Sequence, residues 1–303
     1  MHWLEVNDYS TQGWSGGGDG EALARRYCEQ LERGEILFFA RPPFQLAADD
    51  IAFLAAQRAT GSRLHKNVSY RPQRDLLRGF AEGDAARKRM HDFMRAYSRK
   101  VVHFLSTFLS PYAGKFQLDF ASFRPLEEQG RALPLHKRND LLHVDAFPSR
   151  PTHGGRILRV FTNVHPEKER IWHTGARFPE LASRYAMNAG LRSFAGGSIR
   201  GSVAQALHSL GLPLVARSPY DRFMLRFHDW LKENAEFQNS PDKERIAFPP
   251  LATWIVFTDG VPHAALSGQF ALEQTFIIPP DALVTPDAAP IRVLEKLCAR
   301  ALV

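Results

Sequence analysis

Cysteine is scarce in this chain: two residues in 303, Cys28 and Cys298, near opposite ends. They make neither a metal-spaced pair nor a disulfide framework, so the fold must rest on a packed core. Long apolar runs are missing too. No stretch approaches the roughly 18 residues that suggest a membrane span. There is no block of five or more Lys/Arg residues and no helix-turn-helix, RRM or zinc-finger pattern, which excludes the common routes to nucleic-acid binding. Met1–Asp8 lacks a basic region followed by an apolar core, so no signal peptide is expected and the chain reads as cytosolic. The Gly-rich run Gly16-Gly17-Gly18-Asp19-Gly20 lacks the preceding strand and the spacing of a phosphate-binding loop.

What is present is an ordinary globular balance, 44% hydrophobic and 23% charged. Basic residues number 39 against 32 acidic, a net charge of +7, which favours an anionic partner.

Periodicity divides the chain into a single domain over 1–303: a flexible leader at 1–20, a mostly helical cover at 21–113, a β core at 114–175 and 245–284, a helical insertion at 176–244, and a C-terminal helix at 290–303. Within the cover, helices are expected at 21–34, at 47–59 and within 73–110, a short strand at Ile36–Phe39, and a basic loop at 60–72 with Lys66 and Arg71. Helical stretches at 203–210 and 220–236 mark the insertion, with His228 read as a packing or surface residue. Short strands on both sides of an insertion, beneath helices, point to a mainly β fold with α: a double-stranded β-helix, or jelly roll.

The chain is organised around Asn139-Asp140-Leu141-Leu142-His143-Val144-Asp145-Ala146-Phe147. In a strand over 141–147, side chains alternate faces, so His143 and Asp145 point the same way. A His-x-Asp pair also occurs as a plain hydrogen-bonded pair at a strand edge. With His263, which opens a late hairpin after the Asp259-Gly260 turn, it becomes a 2-His-1-carboxylate face for non-haem Fe(II) with positions left open. Arg159 stands between Ile157 and Phe161 on one strand face. Arg124 continues the even-numbered face of Phe116, Leu118, Phe120 and Ser122. Gln274 shares a face with Phe270, Leu272, Phe276 and Ile278, and with Arg159 it is expected to line the barrel interior as a co-substrate contact. Arginine on an apolar strand face is costly unless it meets an anion, and it matches a carboxylate bidentately. Three ligands, an anion pocket and a barrel are the equipment of an Fe(II)/2-oxoglutarate oxygenase that consumes O2.

The segments Leu142-His143-Val144-Asp145-Ala146-Phe147-Pro148-Ser149-Arg150-Pro151, Gly155-Arg156-Ile157-Leu158-Arg159-Val160-Phe161-Thr162-Asn163 and His263-Ala264-Ala265-Leu266-Ser267-Gly268-Gln269-Phe270-Ala271-Leu272-Glu273-Gln274-Thr275 resemble the Kdo 3-hydroxylases. That family consists of Fe(II)/2-oxoglutarate dioxygenases of lipopolysaccharide inner-core assembly. The resemblance implies hydroxylation at C3 of a 3-deoxy-D-manno-oct-2-ulosonic acid (Kdo) residue on Kdo-lipid A, giving Ko. It carries His143, Asp145 and His263 over as iron ligands, and Arg124, Arg159 and Trp172 as 2-oxoglutarate contacts. The wider superfamily places a basic residue downstream of the distal histidine; here Gln274 stands in that region, which shifts the anchoring of the far carboxylate to Arg159 or Arg124. Arg150, His153, Lys66 and Arg71 are the candidates for sugar carboxylate or phosphate contacts. The implied setting is the cytoplasmic face of the inner membrane of a Gram-negative bacterium, held peripherally by charge, with ascorbate as a helpful reductant. Two rivals stay open: an oxygenase of the same type acting on another substrate, and a jelly-roll protein with metal but no turnover. A zinc hydrolase would want a general base rather than paired arginines.

Overall fold

The computed structural model describes residues 3–9, 18–57, 67–80, 83–130, 132–195 and 216–303. Among them are eleven strands: β1 (Trp3–Glu5), β2 (Ile36–Phe39), β3 (Val68–Arg71), β4 (Leu76–Arg78), β5 (Gln117–Arg124), β6 (Arg156–Asn163), β7 (Arg170–Thr174), β8 (Glu244–Phe248), β9 (Thr253–Phe257), β10 (His263–Ser267) and β11 (Ala271–Ile278). The described α-helices are α1 (Gly18–Glu32), α2 (Ala48–Ala55), α3 (Asp84–Phe108), α4 (Phe178–Tyr185), α5 (Leu191–Ala195), α6 (Pro219–Glu233), α7 (Ala235–Gln238) and α8 (Pro290–Cys298). The result is a mixed α/β molecule with a large sheet, richer in helix than a mainly β reading expects.

Eight strands form the large sheet in the order β1-β2-β9-β6-β11-β5-β3-β4, and β10-β7-β8 form a small one. Alternation along the strands gives the large sheet two apolar faces. Val160 of β6, Phe257 of β9, Leu272 of β11 and Phe123 of β5 pack with Met94, Val101, Phe104 and Phe108 of α3 and Leu31 of α1. On the opposite face, Phe161, Trp254 and Val256 meet Trp172 and Phe248 of the small sheet, where Phe248 stacks on Trp254 with centroids 3.8 Å apart. A third cluster joins α4, α6 and α8 to Leu142 and Val144. Each fully buried Phe stabilises by about 1.5–3 kcal/mol, so α3, with three of them, is fixed firmly to the sheet.

The N-terminal third contributes more strand than its pattern announces. β1 lies inside the expected leader and pairs parallel with β2. β3, inside the expected basic loop, pairs with β4 and β5. These strands have three or four residues each, too short for alternation to stand out. The expected helix at 203–210 lies outside the described residues, as does Lys66.

Two further differences bear on the site. The segment 141–147 is not a regular strand: its only bridge joins His143 to His263. The neighbouring backbone bonds go to separate partners, Ala265 N–H to Asn139 O and Asp145 N–H to Thr258 O, so no ladder propagates. In β5, the even-numbered face does not continue. Gln274 pairs with Ala121 but Phe276 pairs with Leu118, so β5 holds one extra residue opposite Thr275. This bulge exchanges the faces. Leu118 and Phe116 face the helices before it, and Ala121 and Phe123 face them after it.

Candidate metal centre

His143 and His263 are held by the same device. Each Nδ1–H donates to the carbonyl two residues earlier, Leu141 O at 2.7 Å and Val261 O at 3.0 Å. That fixes the tautomer and leaves each Nε2 as a bare lone pair. His143 Nε2 lies 3.8 Å from Asp145 Oδ1, and His263 Nε2 lies 3.9 Å from Asp145 Oδ2. The three ligand atoms fall within 4.8 Å of one another, with both histidines buried and the Asp145 side chain 12% exposed. Asp145 Oδ2 is held by the Arg159 ion pair, with no hydrogen bond of good geometry to it.

The electrostatics suit a cation. Burial, followed by the neighbouring imidazoles and Lys232, holds His143 well below the usual histidine range. Burial lowers His263 too. Burial disfavours the Asp145 charge, yet Arg159, His263 and His143 together outweigh it and keep the carboxyl far below the usual range. Two neutral imidazoles and one carboxylate are a donor set that would suit iron(II), and the cavity adjoins them.

The cavity beside these ligands measures about 270 Å³. Arg124, Arg159, Arg170, Phe161, Trp172 and Ala265 supply its sheet-side wall, and His136, Lys137, His228 and Lys232 the opposite one. Arg159 lies 3.1 Å from Asp145 Oδ2 and donates to Glu273 Oε1 at 2.7 Å. Arg124 donates twice to Glu273 Oε2, at 2.9 and 2.7 Å. Glu273 is thus clamped between two guanidinium groups, which overcome its burial and lower its pKa.

Arg170 is deeper still, with burial pushing it down to about 10. It donates to Gly268 O at 2.9 Å and stands 3.5 Å from Glu128. Gly268, at φ +125°, permits that approach: a Cβ there would come within 2.7 Å of the Arg170 side chain. Trp172 stacks on His263 at 5.2 Å and 25°, with its indole N–H buried and unbonded.

Arg124, Arg159 and Trp172 therefore stand in the cavity wall with the three ligands. Gln274 does not. It projects from the opposite face of β11, fully buried, and donates to Asp119 O at 3.0 Å, the carbonyl that the β5 bulge turns out of the ladder. Nor do three of the proposed substrate residues line the cavity. Arg150 is stacked between Phe120 and Phe147 and bonded to Asp119. Arg71 covers the same Phe120 ring at 4.7 Å. His153 is exposed and lies 3.5 Å from Asp221.

Several polar groups in or behind the cavity wall escaped the sequence reading, among them Arg170, Glu273, His228 and Lys232. Arg170 shares a β7 face with Trp172, two residues on, and that alternation could have found it. Glu273 sits on the odd-numbered face of β11, opposite Gln274. His228 and Lys232 reach the cavity from α6, and no local signal places that helix there. His228 donates Nδ1–H to Val144 O at 2.7 Å, and its ring lies 4.8 Å from that of His143.

Comparison with known proteins agrees with this geometry. Residues 19–301 match the family model for 3-deoxy-D-manno-oct-2-ulosonic acid (Kdo) hydroxylase. The crystal structure of the Kdo hydroxylase KdoO, a non-heme Fe(II) alpha-ketoglutarate dependent dioxygenase, in complex with alpha-ketoglutarate and Fe(III), is similar over 100% of this chain and 98% of its own. The identity is 32% and the TM-score 0.84. The apo structure of KdoO is 33% identical at a TM-score of 0.85, and its cobalt(II) complex 33% at 0.84, with the same coverage. No curated protein sequence matches the chain. With a family model spanning nearly its whole length and the triad assembled at one cavity, this chain belongs to the Kdo hydroxylase family.

Proposed function

We propose that this chain is an Fe(II)/2-oxoglutarate-dependent hydroxylase acting at C3 of a Kdo residue of Kdo-lipid A, giving Ko. The observation that carries the reading is the triad itself: two bare Nε2 atoms and the Asp145 carboxylate, ion-paired with Arg159, converge beside a cavity walled by three arginines. KdoO relatives that hold alpha-ketoglutarate or succinate with iron support it. We read the two sheets as a double-stranded β-helix, with α1–α3 as its cover.

His143, Asp145 and His263 would hold the iron. Bound there, iron(II) supplies oxygen activation coupled to oxidative decarboxylation of 2-oxoglutarate. The chain's own residues do the rest. Arg124, Arg159 and Arg170 match a dicarboxylate in charge and shape. Trp172 fixes the His263 ring and offers its indole N–H inside the cavity. Phe161 and Trp172 keep that wall dry, which protects reactive species from water. Arg71 and Arg150, outside the cavity, are assigned to phosphate groups of the lipid more remote from the iron. No described helix is long and apolar enough to cross a membrane. The net charge of +7 suits peripheral attraction to the anionic cytoplasmic surface of the inner membrane.

The test is succinate formation by purified protein with Fe(II), 2-oxoglutarate, ascorbate and oxygen, with and without Kdo-lipid A. The sugar is followed by mass spectrometry. Substrate-stimulated succinate with a gain of one oxygen on Kdo, both abolished in His143→Ala, is the expected result. Succinate that ignores Kdo-lipid A keeps the oxygenase and removes the substrate. Bound iron without succinate removes the enzyme.

A further inference from the structure

The insertion brings a polar edge to the reaction cavity, and nothing in the 2-oxoglutarate chemistry requires it there. α6 buries Tyr220, Phe223, Met224, Phe227 and Leu231 in the core. On the adjoining edge, His228 and Lys232 are one turn apart, an i, i+4 pair on one side of the helix, and both line the cavity. His228 spends its Nδ1–H on Val144 O, so its remaining nitrogen is an acceptor. The ring is partly accessible and packs edge-on against the ligand His143. Its nitrogen is not one of the clustered ligand atoms. The Lys232 side chain is only 4% exposed, and its ammonium donates to His136 O at 3.0 Å. An ammonium in such a wall is costly unless it meets acceptors. Among the described residues, the cavity lining carries five cations, Arg124, Lys137, Arg159, Arg170 and Lys232, and one carboxylate, Asp145. Glu273 and Glu128 stand behind the arginines, and iron(II) with the 2-oxoglutarate dianion adds no net charge to the cavity.

We infer that α6 is the sugar-reading wall: His228 accepts a hydrogen bond from a substrate hydroxyl, and Lys232 binds the carboxylate of the sugar acid. The inference rests on the functional reading above and adds a specificity role for the insertion. A hydroxyl-reading acceptor and a carboxylate-reading ammonium, one helical turn apart and beside the metal ligands, select a hydroxylated sugar acid over a neutral sugar or an apolar substrate.

The experiment measures KM for 2-oxoglutarate and for Kdo-lipid A separately on iron-loaded enzyme, using native substrate and its Kdo carboxamide. Wild-type enzyme is expected to prefer the carboxylate by about tenfold or more, the worth of a charged hydrogen bond. Lys232→Gln loses that preference and Lys232→Arg keeps most of it. His228→Phe raises KM for the sugar by a similar factor, and His228→Gln, which retains an acceptor, recovers part of it. Cobalt(II) binding, read by absorbance, reports that each variant keeps its fold and metal site. A rise confined to the KM for 2-oxoglutarate overturns the inference and gives α6 to the co-substrate. So does undiminished carboxylate preference in Lys232→Gln. Loss of cobalt in His228→Phe, with the helical content unchanged, makes His228 part of the metal site instead. Wild-type enzyme that makes succinate without modifying Kdo fails the functional reading itself, and the inference with it.

Discussion

Arg156 and Arg159 lie three residues apart on β6, and both are buried, yet they do different work. Arg156 is on the helix-facing side. Its Nε donates to Asp259 at 2.8 Å, Nη1 reaches Glu32 O, and the guanidinium lies 4.2 Å over the Phe257 ring. It does not line the metal cavity. Arg159, on the opposite face, donates to Glu273, forms an ion pair with Asp145 and borders the metal cavity. A buried arginine is therefore not a site by itself. What separates the two is whether the metal cavity adjoins the charge.

The comparison can be broken experimentally. Arg156→Met strands Asp259 in the interior and is expected to cost about 3–5 kcal/mol of stability, read by urea unfolding. Whatever folded protein remains should bind cobalt(II) normally. Arg159→Met reverses the pattern. It should lower kcat/KM for 2-oxoglutarate by about a hundredfold, the loss of one to two charged hydrogen bonds, while the unfolding midpoint shifts less than for Arg156→Met. Equal stability losses in the two variants would erase the distinction.

Gln274→Met sharpens it on the next strand. Removing the amide leaves Asp119 O without that donor and should cost about 1–3 kcal/mol, with KM for 2-oxoglutarate unchanged. A raised KM would return Gln274 to the cavity. The smallest effect expected is for Gly260→Ala. Its Cβ would stand 2.5 Å from Arg156 Nη2, a group pinned by Asp259 and Phe257, so a loss of about 1–2 kcal/mol follows from overpacking. No change there would mean that Arg156 is freer than its contacts imply.

Much of the metal site was legible before any fold was known. His143 and Asp145 are two residues apart in an extended segment, and a period of two requires no partner to put them on one face. His263 follows a tight Asp-Gly turn, and a turn is a local event. Arg159 and Trp172 were flagged by alternation in β6 and by motif resemblance. The same alternation failed at β5, where one extra residue exchanges the faces, so Arg124 was assigned through a continuity that does not exist. Gln274 was misplaced for the related reason that its neighbours are core residues of the helix-facing side. Its polarity serves a bulge carbonyl rather than a ligand.

The sequence by itself determined the ligand types, their shared face and the family. Those depend on residues near one another along the chain, or on motifs compared whole. The tertiary structure decided that Glu273 stands between Arg124 and Arg159, that Arg170 joins them, and that α6 brings His228 and Lys232 to the cavity. Each depends on a strand register or a helix docking that links residues about a hundred or more positions apart, or that seats a helix by its apolar stripe. The polar residues that arrive with that stripe carry no mark of their destination.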